Sequence, residues 1–140
     1  MELIKLDRIN FFLTTDIRLG IGILEDILDI LKQSNFKKPV IVFDTILNKN
    51  EYFIKILEIV LAKHSSAKVL ENKMAGEPTY YYLEKLNKKI KNFSPDCIIA
   101  FGGGSTLDLG KGIALLNQNK VPAISLKGFP KNVNDPIPLI

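Results

Sequence analysis

The period of the hydrophobic positions changes several times along the chain. From Ile23 to Leu31, the residues Ile23, Leu24, Ile27, Leu28, Ile30 and Leu31 recur at helical spacing, with Glu25 and Asp26 early, where negative charge favours the helix dipole. Pro39-Val40-Ile41-Val42-Phe43 is a short continuous apolar run, opened by proline and ended by Asp44, the profile of a strand buried on both faces. Asn50 to Lys63 returns to helical spacing through Phe53, Ile54, Leu57, Val60 and Leu61. Ala67-Lys68-Val69-Leu70 is a weaker strand candidate, and Pro78 is placed to start a helix carrying Tyr82, Leu83, Leu86 and Ile90. Asp96 to Phe101 is a second buried strand. It runs through Gly102-Gly103-Gly104-Ser105 into a helical pattern of Leu107, Leu109, Ile113, Ala114 and Leu116. Before all of these, Ile9 to Gly20 reads as extended, β-branched-rich sequence, and after them the proline-rich stretch Lys120 to Ile140 reads as irregular extended chain.

Strands alternating with helices at this spacing predict an α/β fold with a doubly wound, mainly parallel sheet and helices on both faces, because parallel strands need crossover connections. Ligands of such sheets bind at the carboxyl ends of the strands. Asp44, Gly76-Glu77 and Gly102 to Ser105 all follow predicted strands, so the topology gathers them on one edge. With 140 residues, this is one domain.

Composition mainly excludes. His64 is the only histidine and Cys97 the only cysteine, so the chain alone assembles no zinc finger, disulfide framework or multi-histidine metal site. A nucleophile–histidine pair would have to use His64, which stands in a polar stretch ending a helical pattern and reads as a solvated turn. The net charge of +4 is mild, and the densest basic run, Lys85 to Lys91, places Leu86 and Ile90 on one helical face with lysines on the rest, a solvated face rather than a nucleic-acid groove. With no signal-peptide pattern and no long apolar run, the expectation is a cytoplasmic protein with no membrane or nucleic-acid partner.

The glycine loop is the strongest chemical signal. A P-loop fails twice: the glycine required five residues before Gly110-Lys111 is Ser105, and the hydroxyl required after Lys111 is Gly112. A G-x-G-x-x-G fingerprint starting at Gly102 fails once, at Leu107. Three glycines between a buried strand and a helix let a ligand approach the backbone, and the helix-start amides with Ser105 offer an anion site suited to a pyrophosphate. The alternative is a tight turn with Ser105 as the helix cap. Asp108 falls in the expected first helical turn, where it favours the dipole without any ligand; near a dinucleotide it suits a neutral donor rather than phosphate. Lys111 either pairs with Asp108 or stays solvated.

Gly102 to Lys111 matches GGGSxxDxxK at every specified letter, and in this the chain resembles the iron-containing alcohol dehydrogenases of the dehydroquinate-synthase-like superfamily. Leu19 to Gly22, Val42-Phe43-Asp44, Gly76 to Thr79 and Asp135 to Ile140 support the resemblance in order along nearly the whole chain. It implies a Rossmann-like domain binding NAD (or NADP), with Gly103, Gly104 and Ser105 on the pyrophosphate and Asp108 on the nicotinamide side. It puts Asp44 by the adenosine ribose, where a carboxylate accepts from a free 2′-hydroxyl and repels a 2′-phosphate, which favours NAD. Glu77 would be either a cofactor contact or part of a helix start.

The family continues beyond a segment like 136–140 with a Thr-Thr-x-Gly-Thr-Gly-Ser-Glu stretch and a helical domain whose aspartate and three histidines hold Fe2+ or Zn2+. Residues 1–140 hold neither, so the expectation is the nucleotide-binding half of a dehydrogenase that interconverts a small alcohol and aldehyde, inactive by itself and with no catalytic or metal-binding residue of its own. A homodimer is left open, as is the substrate. The rival expectations are a free-standing nucleotide-binding module and a flavodoxin-like interaction domain whose glycine loop is only a turn.

Overall fold

The computed structural model describes residues 15–128 and 133–140. Three strands, β1 (Pro39–Asp44), β2 (Lys68–Asn72) and β3 (Cys97–Phe101), form a wholly parallel sheet in the order β2-β1-β3. Among the described residues the α-helices are α1 (Asp26–Gln33), α2 (Glu51–Lys63), α3 (Tyr80–Lys88) and α4 (Gly104–Asn119), with 3-10 turns at Ile23–Glu25, Thr45–Lys49 and Ala123–Leu126. The apolar runs that predict β1 and β3 sit where expected. Strand β2, of weaker pattern, extends two residues further, to Asn72.

The alternation within β1 divides the core. Val40 and Val42 face one side with Leu70 and Ile98, under Leu86 and Ile90 from α3 and its end and Leu109, Ile113 and Ala114 from α4. Ile41 faces the other side with Cys97 and Ile99, under Ile27 and Leu31 of α1 and Ile56 and Val60 of α2. All of these side chains are buried, so the sheet is covered on both faces, the arrangement a crossover-linked parallel sheet requires. At about 1.5–3 kcal/mol for each fully buried large aliphatic side chain, these two layers carry the hydrophobic stabilisation of the fold.

Local sequence explains the element ends. Asn50 caps α2 by accepting from the Phe53 N–H at 2.9 Å, and His64 ends that helix, half-buried in the polar turn expected of it. Helix α3 starts at Tyr80 rather than at Pro78, because Thr79 supplies the capping hydroxyl, accepting from the Tyr82 N–H at 3.2 Å. Its lysines lie on the exposed face while Leu86 and Ile90 are buried. Asp96, expected within β3, precedes it: its carboxylate accepts from the Lys37 and Lys38 N–H groups and clips the amino end of β1 to that of β3.

Two expectations change. Of the strand expected over residues 9–20, residues 9–14 lie outside the described residues. Residues 15–20 are irregular, with Ile17 and Leu19 exposed and Arg18 held by Asp16 and Asp26 at 3.1 Å. Extended, β-branched-rich sequence makes a strand only against a partner, and among the described residues none pairs with this segment. At the other end, the expected irregular chain joins the sheet. The Ile98 N–H donates to Pro138 O at 2.8 Å, Ile140 N–H to Ile98 O at 2.9 Å and Ala100 N–H to Ile140 O at 2.8 Å, so residues 138–140 run parallel to β3 along its outer edge. Pro138 is tolerated because the pairing uses its carbonyl and not the N–H it lacks.

Two glycines set helix α4 against its neighbours. A Cβ on Gly110 would lie 2.8 Å from Ala100 Cβ of β3, whereas a Cβ on Gly112 would meet the tip of Leu83 at 2.7 Å. Ala100 cannot move without the strand, but Leu83 can change rotamer. Gly110→Ala is therefore expected to destabilise by about 1–3 kcal/mol, the overpacking range, and Gly112→Ala by less, as read by urea unfolding. Cys97 is fully buried, and burial, reinforced by Asp96, pushes its thiol up to about 12. Iodoacetamide at neutral pH should leave it unmodified in the folded chain and alkylate it only after denaturation.

Candidate functional site

Parallel strands end on one edge, and here that edge collects polar residues. Asp44 pairs in register with Asn72, and Phe43 pairs with Phe101, so Asp44, Asn72 and Gly102 stand side by side at the ends of β1, β2 and β3. The chain leaves β3 through Gly102 with φ of 151°, and a Cβ there would lie 2.9 Å from Thr106 Cβ and 3.1 Å from Asp44 Cβ. Only glycine fits this turn.

The next two glycines are different. Gly103 has φ of −80° and ψ of −175°, extended backbone open to any residue, and Gly104 is the first residue of α4. A Cβ on either would meet nothing within 4 Å. No side chain caps α4; its start is closed by the Thr106 and Leu107 N–H groups, both donating to Gly103 O at 3.0 Å. Ser105, expected as a possible cap, lies inside the helix instead. A helix start without a side-chain acceptor, under open space, suits an anion, by the dipole and by amide donors together.

Beneath the loop lies a pair that the sequence does not single out. Asn72 and Thr106 are 2% and 0% exposed, and the Asn72 Nδ2 donates to Thr106 Oγ1 at 2.9 Å. Asn72 Oδ1 in turn accepts from the Met74 N–H at 3.1 Å. Since Thr106 also touches Gly102, this pair ties the end of β2 to the first turn of α4 and fixes the loop from below. A polar residue close behind the apolar run of a strand is the signal that could have pointed to Asn72, and Thr106 falls on an unspecified letter of the glycine pattern.

At the β1–β2 side, Asp44 accepts from the Ile46 N–H at 3.0 Å and so caps the 3-10 turn Thr45–Lys49. The same turn is strapped to β2 by Glu71. Its Oε1 accepts from Thr45 Oγ1 at 2.6 Å and Asn48 Nδ2 at 2.7 Å, and its Oε2 pairs with Lys73 Nζ at 3.0 Å. The Thr45 hydroxyl first, then Lys73, hold this carboxyl below the usual glutamate range, against the opposing effect of desolvation. Glu71 is the third residue, after Asn72 and Thr106, that sequence reasoning missed.

The remaining candidates sit further out. Helix α4 begins at Gly104, so Asp108 lies in the second turn and not the first as expected, where the dipole is weaker. It pairs with Lys111 Nζ at 2.9 Å, both side chains exposed, the first of the two alternatives for Lys111 and worth about 0–1 kcal/mol. Glu77 is exposed on the connection 73–79 and takes no part in the start of α3, which Thr79 caps. The fold thus brings Asp44 and Gly102 to Ser105 together and leaves Asp108 and Glu77 on the rim. Next to the loop, a groove of about 780 Å³ with Phe101, Leu107 and Lys111 on its wall runs between α1, β3 and α4. Among the described residues, no three His, Cys, Asp or Glu side chains come together to hold a metal ion, so these residues do not fit one, and no helix is long and apolar enough to cross a membrane.

The sequence profile described as iron-containing alcohol dehydrogenase matches residues 14–140. The chain belongs to that family. It is 30% identical over 121 residues to alcohol dehydrogenase 4 of Schizosaccharomyces pombe, covering 86% of this chain and 28% of that protein. It is 27% identical over 117 residues to glycerol-1-phosphate dehydrogenase [NAD(P)+] of Thermoplasma volcanium, with 84% of this chain and 32% of the other covered. In fold it is similar to NADH-dependent butanol dehydrogenase A of Thermotoga maritima, with a TM-score of 0.78 at 18% identity over 95% of this chain and 33% of that one. The chain spans about a third of the length of each of these proteins. The match confirms the expected Rossmann-like α/β class and the family that the glycine pattern implies.

The buried pair supports a stability test. Asn72→Ala strands the Met74 N–H without its acceptor, and Thr106→Val strands the Asn72 amide. Each is expected to cost about 1–3 kcal/mol in urea unfolding, the penalty of an unsatisfied buried polar group.

Proposed function

We propose that this chain is the dinucleotide-binding part of an NAD(P)-dependent alcohol dehydrogenase, taking NAD in preference to NADP. The carrying observation is the difference among the three glycines. Gly102 is required by the turn, but Gly103 and Gly104 have ordinary backbone geometry and open space where a side chain would sit, so the fold itself does not need them. A ligand that must lie against bare backbone does. A reading in which the loop is only a turn accounts for Gly102 and leaves the other two without a reason.

In this reading, Gly103, Gly104 and Ser105 hold the pyrophosphate at the start of α4. Asp44, beside Gly102, meets the adenosine ribose: one carboxylate oxygen is engaged by Ile46 N–H, and the group accepts from a 2′-hydroxyl while repelling a 2′-phosphate. Asp108, on the same helix and partly neutralised by Lys111, lies towards the nicotinamide end, and Glu77 is a rim contact from the β2 side. The names of the relatives, which include NAD(P)+ and NADH, agree with this cofactor class. The dinucleotide supplies the hydride chemistry between the alcohol carbon and the nicotinamide ring; these residues bind and orient it.

Among the described residues no metal site forms, so in this reading the oxygen of the alcohol or aldehyde is polarised by groups other than these, and the chain by itself should give no turnover. Its affinity for NAD, with one wall only, is expected to be weaker than about millimolar, or about −4 kcal/mol.

The test separates ligand from fold. Gly103→Val should leave urea stability within about 0.5 kcal/mol, because its backbone suits a branched residue. With NAD added to the isotope-labelled chain at high millimolar concentration, the wild type should show amide shifts at Gly103 to Ser105 and the variant none. Equal shifts in both proteins would overturn the reading.

A further inference from the structure

Glu71 gathers an unusual set of donors. A hydroxyl from Thr45, an amide from Asn48 and an ammonium from Lys73 all converge on one carboxylate at the edge where β1 and β2 end. These are the group types that bind phosphate: a neutral hydroxyl and amide for geometry and a cation for charge. Their placement is specific. Thr45 follows Asp44 directly, Glu71 and Lys73 flank Asn72, and Asn72 is the register partner of Asp44. Any ribose held by Asp44 therefore presents its 2′-position to the neighbourhood of this cluster.

We infer that Glu71 is a specificity-determining residue for the dinucleotide: its carboxylate occupies Thr45, Asn48 and Lys73, the donors that a 2′-phosphate would need, and so sets the site for the unphosphorylated ribose. The inference rests on the dinucleotide reading above and goes beyond Asp44. Asp44 acts by direct repulsion at the ribose. Glu71 acts by removing the compensating donors, and by strapping the 45–49 turn to β2 it also keeps Asp44 in place. The two carboxylates together make the edge poor for a dianion, although a lysine is within reach. The Lys73 side chain is 71% exposed and, among the described residues, its ammonium pairs with Glu71; without that carboxylate it is free to meet another anion.

The variants grade the effect. Glu71→Gln retains an acceptor for Thr45 and Asn48 and releases Lys73 alone, whereas Glu71→Ala releases all three. Titrations of NAD and NADP into the isotope-labelled chain, followed by amide shifts, give the ratio of the two dissociation constants. Relative to wild type, Glu71→Ala should move that ratio towards NADP by about tenfold, the factor that one charge-assisted contact carries, and Glu71→Gln by less. Adding Lys73→Ala to Glu71→Ala should return most of the change. A merely structural role weakens both dinucleotides alike, so a ratio that stays within about twofold of wild type in Glu71→Gln and Glu71→Ala overturns the inference. Should Glu71→Ala lose its folded amide spectrum, Glu71→Gln still decides. Absence of NAD binding by the wild type would overturn the dinucleotide reading itself, and this inference with it.

Discussion

A strand buried on both faces has to find hydrogen-bond partners on both edges, and β1 meets that demand with parallel neighbours. Much else depends on this choice. Parallel neighbours cannot be joined by tight turns, so each return path becomes a helix, and helices on both faces bury the alternate side chains of β1 in two separate layers. The same geometry sends every strand out at one edge. Asp44, Asn72 and Gly102 are distant in sequence, yet adjacent because of the direction of three short strands.

On that edge the chemistry is divided among residues of the same type. Gly102 serves the backbone, Gly110 lets α4 lie close on β3, and Gly103 with Gly104 keep space clear above a helix start. The position that fails the dinucleotide fingerprint, Leu107, is compensated three residues on: the close packing of helix on strand that the third glycine allows is supplied by Gly110 against Ala100. Asn72 and Thr106 then fix this loop through a hydrogen bond that is fully shielded from water, where leaving it unmade would be costly.

The charges follow the same division. No acidic side chain stands in the first turn of α4, which keeps the helix start available to an anion. The carboxylates that lie nearby are each committed: Asp44 to a backbone amide, Glu71 to three donors, Asp108 to Lys111. An edge built this way tolerates a pyrophosphate at one point while disfavouring a further phosphate at another.

The sequence by itself determined the elements and their class. Runs such as Pro39 to Phe43, helical spacing in 50–63 and the pattern from Gly102 to Lys111 are local signals, and local signals carry period, strand direction and family. It did not determine where α4 begins, because the glycine loop is also the first turn, and so it placed Asp108 one turn early. Nor did it show that residues 138–140 join the sheet, since an edge strand rich in proline differs from loose chain only when β3 stands beside it. The roles of Asn72, Thr106 and Glu71 came from tertiary structure alone. Their partners lie 23–34 residues away for the side-chain bonds that matter most, and no periodicity within a strand or helix encodes which polar side chain will meet which across that distance. Packing decides that, because only the folded sheet places the ends of β1, β2 and β3 within hydrogen-bond reach.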